Sequence, residues 1–215
     1  LIGFDYAKDR LFAKAESLPE RLSETDLFTF DAFELAKTGT VAFNVEYPLW
    51  ADNAEKGRWV HVPMAIEKGH LVRQAIEYDA RSQKFKIPAN TRFYKDFYKK
   101  VVKKNGKSAF KRIETRIIVA REPWNKSLFG TYRWDEGGRT ATLVQTPYRD
   151  GTPFKDTIFD VVVDEKSGKT RKYATPASHR CSGCHMGSSA NDFVLGSPPL
   201  QLNRRMTGEA GRETP

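Results

Sequence analysis

Short segments in which apolar and polar residues alternate recur along most of this chain, and that period of two constrains its fold more than any other feature. Successive side chains of a pleated strand point to opposite faces, so alternation marks a strand with one buried side. Residues 40–45 place Val41, Phe43 and Val45 on one side, and residues 58–63 read as another short strand, ended by Pro63. Phe85, Ile87, Phe93, Phe97 and Val101 punctuate an extended basic stretch. Within residues 110–121, Ile113, Thr115, Ile117 and Val119 share one parity and Arg112, Glu114 and Arg116 the other. Residues 128–134, 140–146, 157–163 and 170–173 continue the series. The separators carry turn chemistry: Asn105-Gly106, the run from Asp135 to Arg139 through Gly137-Gly138, and the run from Asp164 to Lys169 through Gly168. This pattern predicts a mainly β chain with short helices (α+β), its strands forming an antiparallel meander as a sheet or sandwich. Residues 1–39 read as an N-terminal arm of short helices and loops. Residues 40–205 read as the β-rich domain, and residues 206–215 as a frayed tail. A helix is the expectation over residues 71–80.

The chain's two cysteines both lie in Cys181-Ser182-Gly183-Cys184-His185. Cys-x-x-Cys-His is the attachment signature of c-type haem. The two thiols form thioethers to the vinyl groups, and the histidine becomes an axial iron ligand. Three other readings compete. A thioredoxin-like redox pair expects a βαβ context, which is missing here. Half of a zinc site expects a second Cys-x-x-Cys. A disulfide over two intervening residues is a poor staple. The expectation is one covalently bound haem c, held by Cys181, Cys184 and His185 on a short C-terminal helix, with His185 as proximal ligand. Phe193, Leu195, Leu200 and Leu202 are candidate walls for the apolar plate.

Lysine and arginine outnumber aspartate and glutamate 36 to 27, a formal charge of +9. Lys95, Lys99, Lys100, Lys103, Lys104, Lys107 and Lys111 concentrate that charge between residues 84 and 112. No nucleic-acid-binding motif accompanies the run, so the expected partner is an acidic redox protein rather than nucleic acid. No apolar run approaches the length of a membrane span, and a homodimer is left open. The chain opens on Leu1-Ile2-Gly3-Phe4, the form of a processed secreted chain. Haem attachment through cysteine places it in the periplasm or outside the cell.

Several stretches also resemble a group of secreted bacterial c-type haem proteins of largely unassigned function. They are Pro48-Leu49-Trp50-Ala51-Asp52-Asn53-Ala54 with Lys56 and Arg58-Trp59, then Phe85-Lys86-Ile87-Pro88-Ala89-Asn90-Thr91 with Lys95. Arg112-Ile113-Glu114-Thr115-Arg116, Tyr132-Arg133-Trp134-Asp135, the Cys181–His185 motif and Leu200-Gln201-Leu202-Asn203-Arg204 follow in order. Ala51 and Asn53 stand where that group tends to have Ser and Gly. A β-rich body ending in a haem motif more distantly resembles the cytochrome P460 and cytochrome c′-beta group. That likeness implies an antiparallel sheet, a five-coordinate or weakly ligated iron and, in the P460 branch, a lysine cross-linked to haem in an enzyme that oxidises hydroxylamine. Lys95 is the candidate for that lysine.

What the iron would do depends on its second axial position. Met206, His61, Met64 and His70 are the candidate distal ligands. Arg112 and Arg116 are candidates to pair with propionates, and Trp134 to pack on the ring. Three functions follow: a monohaem electron carrier outside the cytoplasm, a P460-like enzyme acting on a small nitrogen or oxygen species, and a five-coordinate gas-binding module.

Overall fold

A computed structural model describes residues 2–27, 39–46, 54–82, 84–144, 156–177, 180, 181 and 185. Its centre is an antiparallel sheet in the order β1-β2-β7-β8-β9-β10. The strands are β1 (Thr40–Ala42), β2 (Glu55–His61), β7 (Arg92–Val102), β8 (Ser108–Val119), β9 (Leu128–Trp134) and β10 (Ala141–Leu143). The class is mainly β with short helices, as the alternation predicts. Between β2 and β7 the chain inserts two small hairpins: β3 (Met64–Glu67) with β4 (His70–Arg73), and β5 (Glu77–Asp79) with β6 (Lys84–Lys86). The helix expected over residues 71–80 is therefore replaced by strands. Lys68 and Gly69 both take positive φ, so the chain turns back on itself there, and Leu71 pairs with Ile66. The expected turns lie where their residues place them: Gly106 between β7 and β8, Gly138 between β9 and β10, and Gly168 between β11 (Thr157–Asp164) and β12 (Lys169–Thr175), all with positive φ.

The sheet has two differently furnished faces. The first carries Trp59, Tyr94, Ile117, Val119, Tyr132 and Trp134, buried against Phe12 of helix α1 (Ile2–Lys14) and against Leu22 and Leu27 of the arm. The second is covered in part by the β11–β12 hairpin, through Val161, Tyr173 and Phe159 packed on Ile113. That hairpin touches the edge of β7 by a parallel bridge, Asp164 to Val102.

The arm is tied down by buried charge. Asp9 of α1 and Asp26 both meet the guanidinium of Arg92, which donates through Nε to Asp26 and through Nη2 to Asp9. Tyr94 donates its hydroxyl to Asp26, and Asn90 donates its amide to the Asp9 carbonyl at 2.8 Å. Arg92 is 0% exposed and both carboxylates 3%. At the other end of α1, Arg121 donates to the carbonyls of Phe12 and Ala15, a cation on orphan C-terminal acceptors.

A β-bulge changes the parity of β8. Phe97 pairs with Glu114 but Tyr98 pairs with Arg112, so Ile113 is the extra residue. Arg112 therefore contacts Asp96, Tyr98 and Trp134 on the first face, while Glu114 and Arg116 stay on the second. The shared face expected for Arg112, Glu114 and Arg116 is overturned by that single residue.

Candidate haem site

Cys181 and His185 are both helical in backbone and half-buried. Cys184, Phe193, Leu195 and Met206 lie outside the described residues. The His185 ring stacks on Phe129 of β9, with centroids 6.4 Å apart and planes at 28°. Trp124, in the single turn of 3-10 helix before β9 (Trp124–Lys126), donates its indole N–H to the His185 carbonyl and meets Phe129 edge-on. Trp124→Phe keeps the ring and deletes the donor. Its expected cost is about 1 kcal/mol, read in denaturant unfolding, together with a shift of the His185 ring resonances.

Phe129 belongs to the second face, and cross-strand register extends it into a row. Val60 pairs with Phe93, Phe93 with Ile118 and Ile118 with Phe129, one from each of β2, β7, β8 and β9. Phe93 is buried; Val60, Ile118 and Phe129 are half-buried. Two residues further along each strand the row becomes Arg58, Lys95, Arg116 and Thr131. The next is Lys56, Phe97, Glu114 and Arg133. An apolar strip bearing the His185 ring thus adjoins a strip of cations. Arg58 is 6% exposed and Lys56 3%. Lys95 Nζ lies 5.4 Å from the Phe97 ring centre and the Arg116 guanidinium 4.2 Å, while Arg116 also pairs with Glu114. The Thr131 hydroxyl is buried, with no hydrogen-bond partner.

These features fit a haem. The porphyrin needs an apolar surface, its iron an imidazole and its carboxylates cations or donors. All three lie together on one face, and a buried orphan hydroxyl is the kind of group a ligand satisfies.

The structure brings His185, Lys95 and Arg116 to this face and, among the described candidates, separates Arg112, Trp134, His61 and Met64 from it. Trp134 is on the first face, where it donates to the Thr115 hydroxyl at 2.9 Å, as is Arg112. His61 is 0% exposed on that first face, with Nε2 3.1 Å from Asp9 and Nδ1 3.2 Å from the Thr40 hydroxyl. Both ring nitrogens are committed and the sheet stands between them and His185, so His61 is a network residue and not a distal ligand. The Met64 N–H donates to Asp9 at 2.7 Å, on the α1 side. His70 is exposed on the β3–β4 hairpin. Val60, Phe93, Ile118, Phe129, Trp124, Arg58 and Thr131 were not named as site residues from the sequence. Their signal is the repeated apolar-x-polar spacing in four segments, which becomes a site only once the register is known.

The basic run divides. Lys103 pairs with Glu165 at 2.7 Å. Lys99 and Lys100 line a cleft of about 370 Å³ with Lys169, Arg171, Lys172 and Tyr173. It lies six residues and more along β7 from Phe93, roughly 20 Å at the rise of a strand. Among the described residues, no helix is long and apolar enough to cross a membrane, and no group of three or more His, Cys, Asp or Glu side chains is arranged to hold a metal ion. Comparison with protein-family models, with curated protein sequences and with solved structures returns no match.

Proposed function

We propose that this chain is a monohaem c-type cytochrome that carries electrons outside the cytoplasm. The observation that carries the reading is the His185 ring, the last residue of the chain's Cys-x-x-Cys-His motif, seated on a half-buried apolar row of a sheet face. Cys181 and Cys184 would hold the haem covalently and His185 would ligate its iron, which supplies a one-electron couple when bound. Phe129 and Trp124 orient His185 from the ring side and the backbone side. The sheet is antiparallel and cross-braced, and such a rigid frame keeps the ligand in place as the charge on the iron changes. The reading carries with it resemblance to the secreted c-type haem group and a periplasmic or extracellular setting. It also carries an acidic redox partner drawn by the Lys99–Lys172 cleft, whose charge acts on encounter at a distance from the apolar row. Association with such a partner is then slowed by salt.

A second reading is favoured by the position of Lys95. It stands beside Phe93's row on the face that carries the His185 ring, and a cross-link from it to haem would make the protein an enzyme acting on a small nitrogen or oxygen species. Absorption and magnetic spectra separate the two. Electron carriage is expected to give a low-spin spectrum in both oxidation states that carbon monoxide leaves unchanged. A high-spin ferrous spectrum that shifts with carbon monoxide sinks it and favours an open site, enzymatic or gas-binding. A peptide carrying both Lys95 and haem mass after digestion would decide for the enzyme.

A further inference from the structure

We infer that the cleft between the end of β7 and the β11–β12 hairpin is a binding site for a small organic dianion, an apolar body that carries two acidic groups. The site goes beyond the haem reading and does not rest on it. Its walls are held in place by the fold. Asp164 bridges to Val102, the Glu165 N–H donates to the Val102 carbonyl at 2.7 Å, and Lys103 pairs with Glu165 at 2.7 Å. Three ties at one end fix the separation of β7 and the hairpin before any ligand arrives. A bulge then furnishes the interior. Val162 pairs with Thr170 but Asp164 pairs with Lys169, so Val163 is the extra residue of β11, and it lines the cleft. Bulges at sheet margins re-aim side chains toward sites, and the side chain presented here is apolar. Val102 on the opposite wall lines the cleft as well, as do Val161 and Tyr173.

Charge supplies the other half of the chemistry. β7 contributes Lys99 and Lys100, and β12 contributes Lys169, Arg171 and Lys172. Among the described residues, Asp164 is the one carboxylate in the lining. It already accepts the Lys166 and Ser167 N–H groups of its own turn, at 2.9 and 3.2 Å. Lys99 lies 5.6 Å from the centre of the Tyr173 ring, and Lys172 is 3.8 Å from Asp160. Even with Asp160 included, cations exceed carboxylates five to two. Cations and valines stand on both walls, so a ligand that bridges them needs acidic groups at two points of a hydrocarbon body. The volume of about 370 Å³ falls in the range of small-molecule sites, roughly 300–1,000 Å³. A partner protein is steered by the same charge from a distance, whereas valines set in a cavity act only on something that enters it.

The test is calorimetric titration of the full chain at about 0.15 M salt, where exposed charges are largely screened, with benzene-1,3-dicarboxylate, benzoate and inorganic phosphate as probes. The dicarboxylate is expected to saturate one site per chain. Benzoate, with one charged contact fewer, is expected to bind about tenfold more weakly, and phosphate not to saturate. Lys100→Glu combined with Arg171→Glu is expected to weaken the dicarboxylate at least about tenfold. Both side chains are exposed, so the variant folds. Lys107→Glu with Arg139→Glu makes the same change in net charge at two exposed positions outside the cleft and is expected to leave binding unchanged. Equal loss in the two double variants, or phosphate binding as tight as the dicarboxylate, would reduce the cleft to surface charge and overturn the site. A dicarboxylate that never saturates overturns it too. A hexaglutamate peptide that saturates the chain where the dicarboxylate does not would assign the cleft to a partner protein and likewise overturn the inference.

Discussion

Matured in a host that attaches c-type haem, the wild-type chain is expected to carry the mass of one haem through denaturation, and the Cys181→Ala, Cys184→Ala double variant to carry none. The effect is all or nothing because a thioether survives unfolding and a coordinate bond does not. Single variants separate the contributions. Either cysteine alone leaves one thioether and a retained, weakened adduct, whereas His185→Ala keeps both thioethers and loses the proximal ligand, changing the spectrum more than the mass. Intact-mass spectrometry in denaturant, read beside the visible spectrum, checks each outcome. Covalent haem in the double-cysteine variant would remove the basis of the proposed function.

The second large effect is expected at Arg92, where Arg92→Met should cost about 3–5 kcal/mol, the range for breaking a buried pair by removing one partner. Asp9 and Asp26 would be left facing each other across His61 without the cation that balances them. Burial alone would push the Asp26 carboxyl up, but Arg92, His61 and the hydrogen bonds from Arg92 and Tyr94 outweigh it and hold it well below the ordinary carboxylate range. Asp9 is lowered as well: burial opposes the shift, and the His61 hydrogen bond and the Arg92 charge win. A carboxylate depressed in the folded state releases its proton more readily there than in the unfolded chain. Its stabilising contribution is therefore complete above the unfolded value near pH 4 and is lost as pH falls below it. Asp96 has the opposite sign. It is 0% exposed, and burial raises it despite Arg112 at 2.9 Å and the donors Thr115 and Tyr98. Its contribution falls as pH rises from about 4 toward its raised folded value. Asp26→Asn is thus expected to flatten the acid limb of stability. Asp96→Asn should spare that limb and cost less at neutral pH. Denaturant unfolding of both variants as a function of pH resolves the two signs.

Much of the sheet was legible because its signals are local. Asn105-Gly106, Gly138 and Gly168 need positive φ, and alternation between those turns shows where strands run. The Cys-x-x-Cys-His motif was equally local. What the chain does not display is register, and the errors at Arg112, His61 and Trp134 trace to it. The bulge at Ile113 carries no composition of its own, since an isoleucine continues an alternating run without a break, yet it sends Arg112 to the opposite face from Arg116. His61 and Arg92 read as polar interruptions of strands, and only the cross-strand pairing shows that they share one row with Val119 and the half-buried Leu128. The site was half legible for the same reason. Lys95, Arg116 and His185 stood out as residues, whereas the apolar row under His185 is distributed over four strands that are far apart in sequence.

The salt bridges of the arm also impose an order of events. Asp26 is separated from Arg92 by 66 residues and Asp9 by 83, and Phe12 is 109 residues from the Arg121 that holds its carbonyl. Residues 9–26 can therefore be seated only after the segment up to residue 121 has followed, a long-range closure of the kind that slows folding. Until then two carboxylates wait in water for a cation that has yet to arrive. The Cys-x-x-Cys-His motif arrives later still, at residue 181. A chain stopped short of Arg121 would leave the end of helix α1 without the cation that holds its carbonyls.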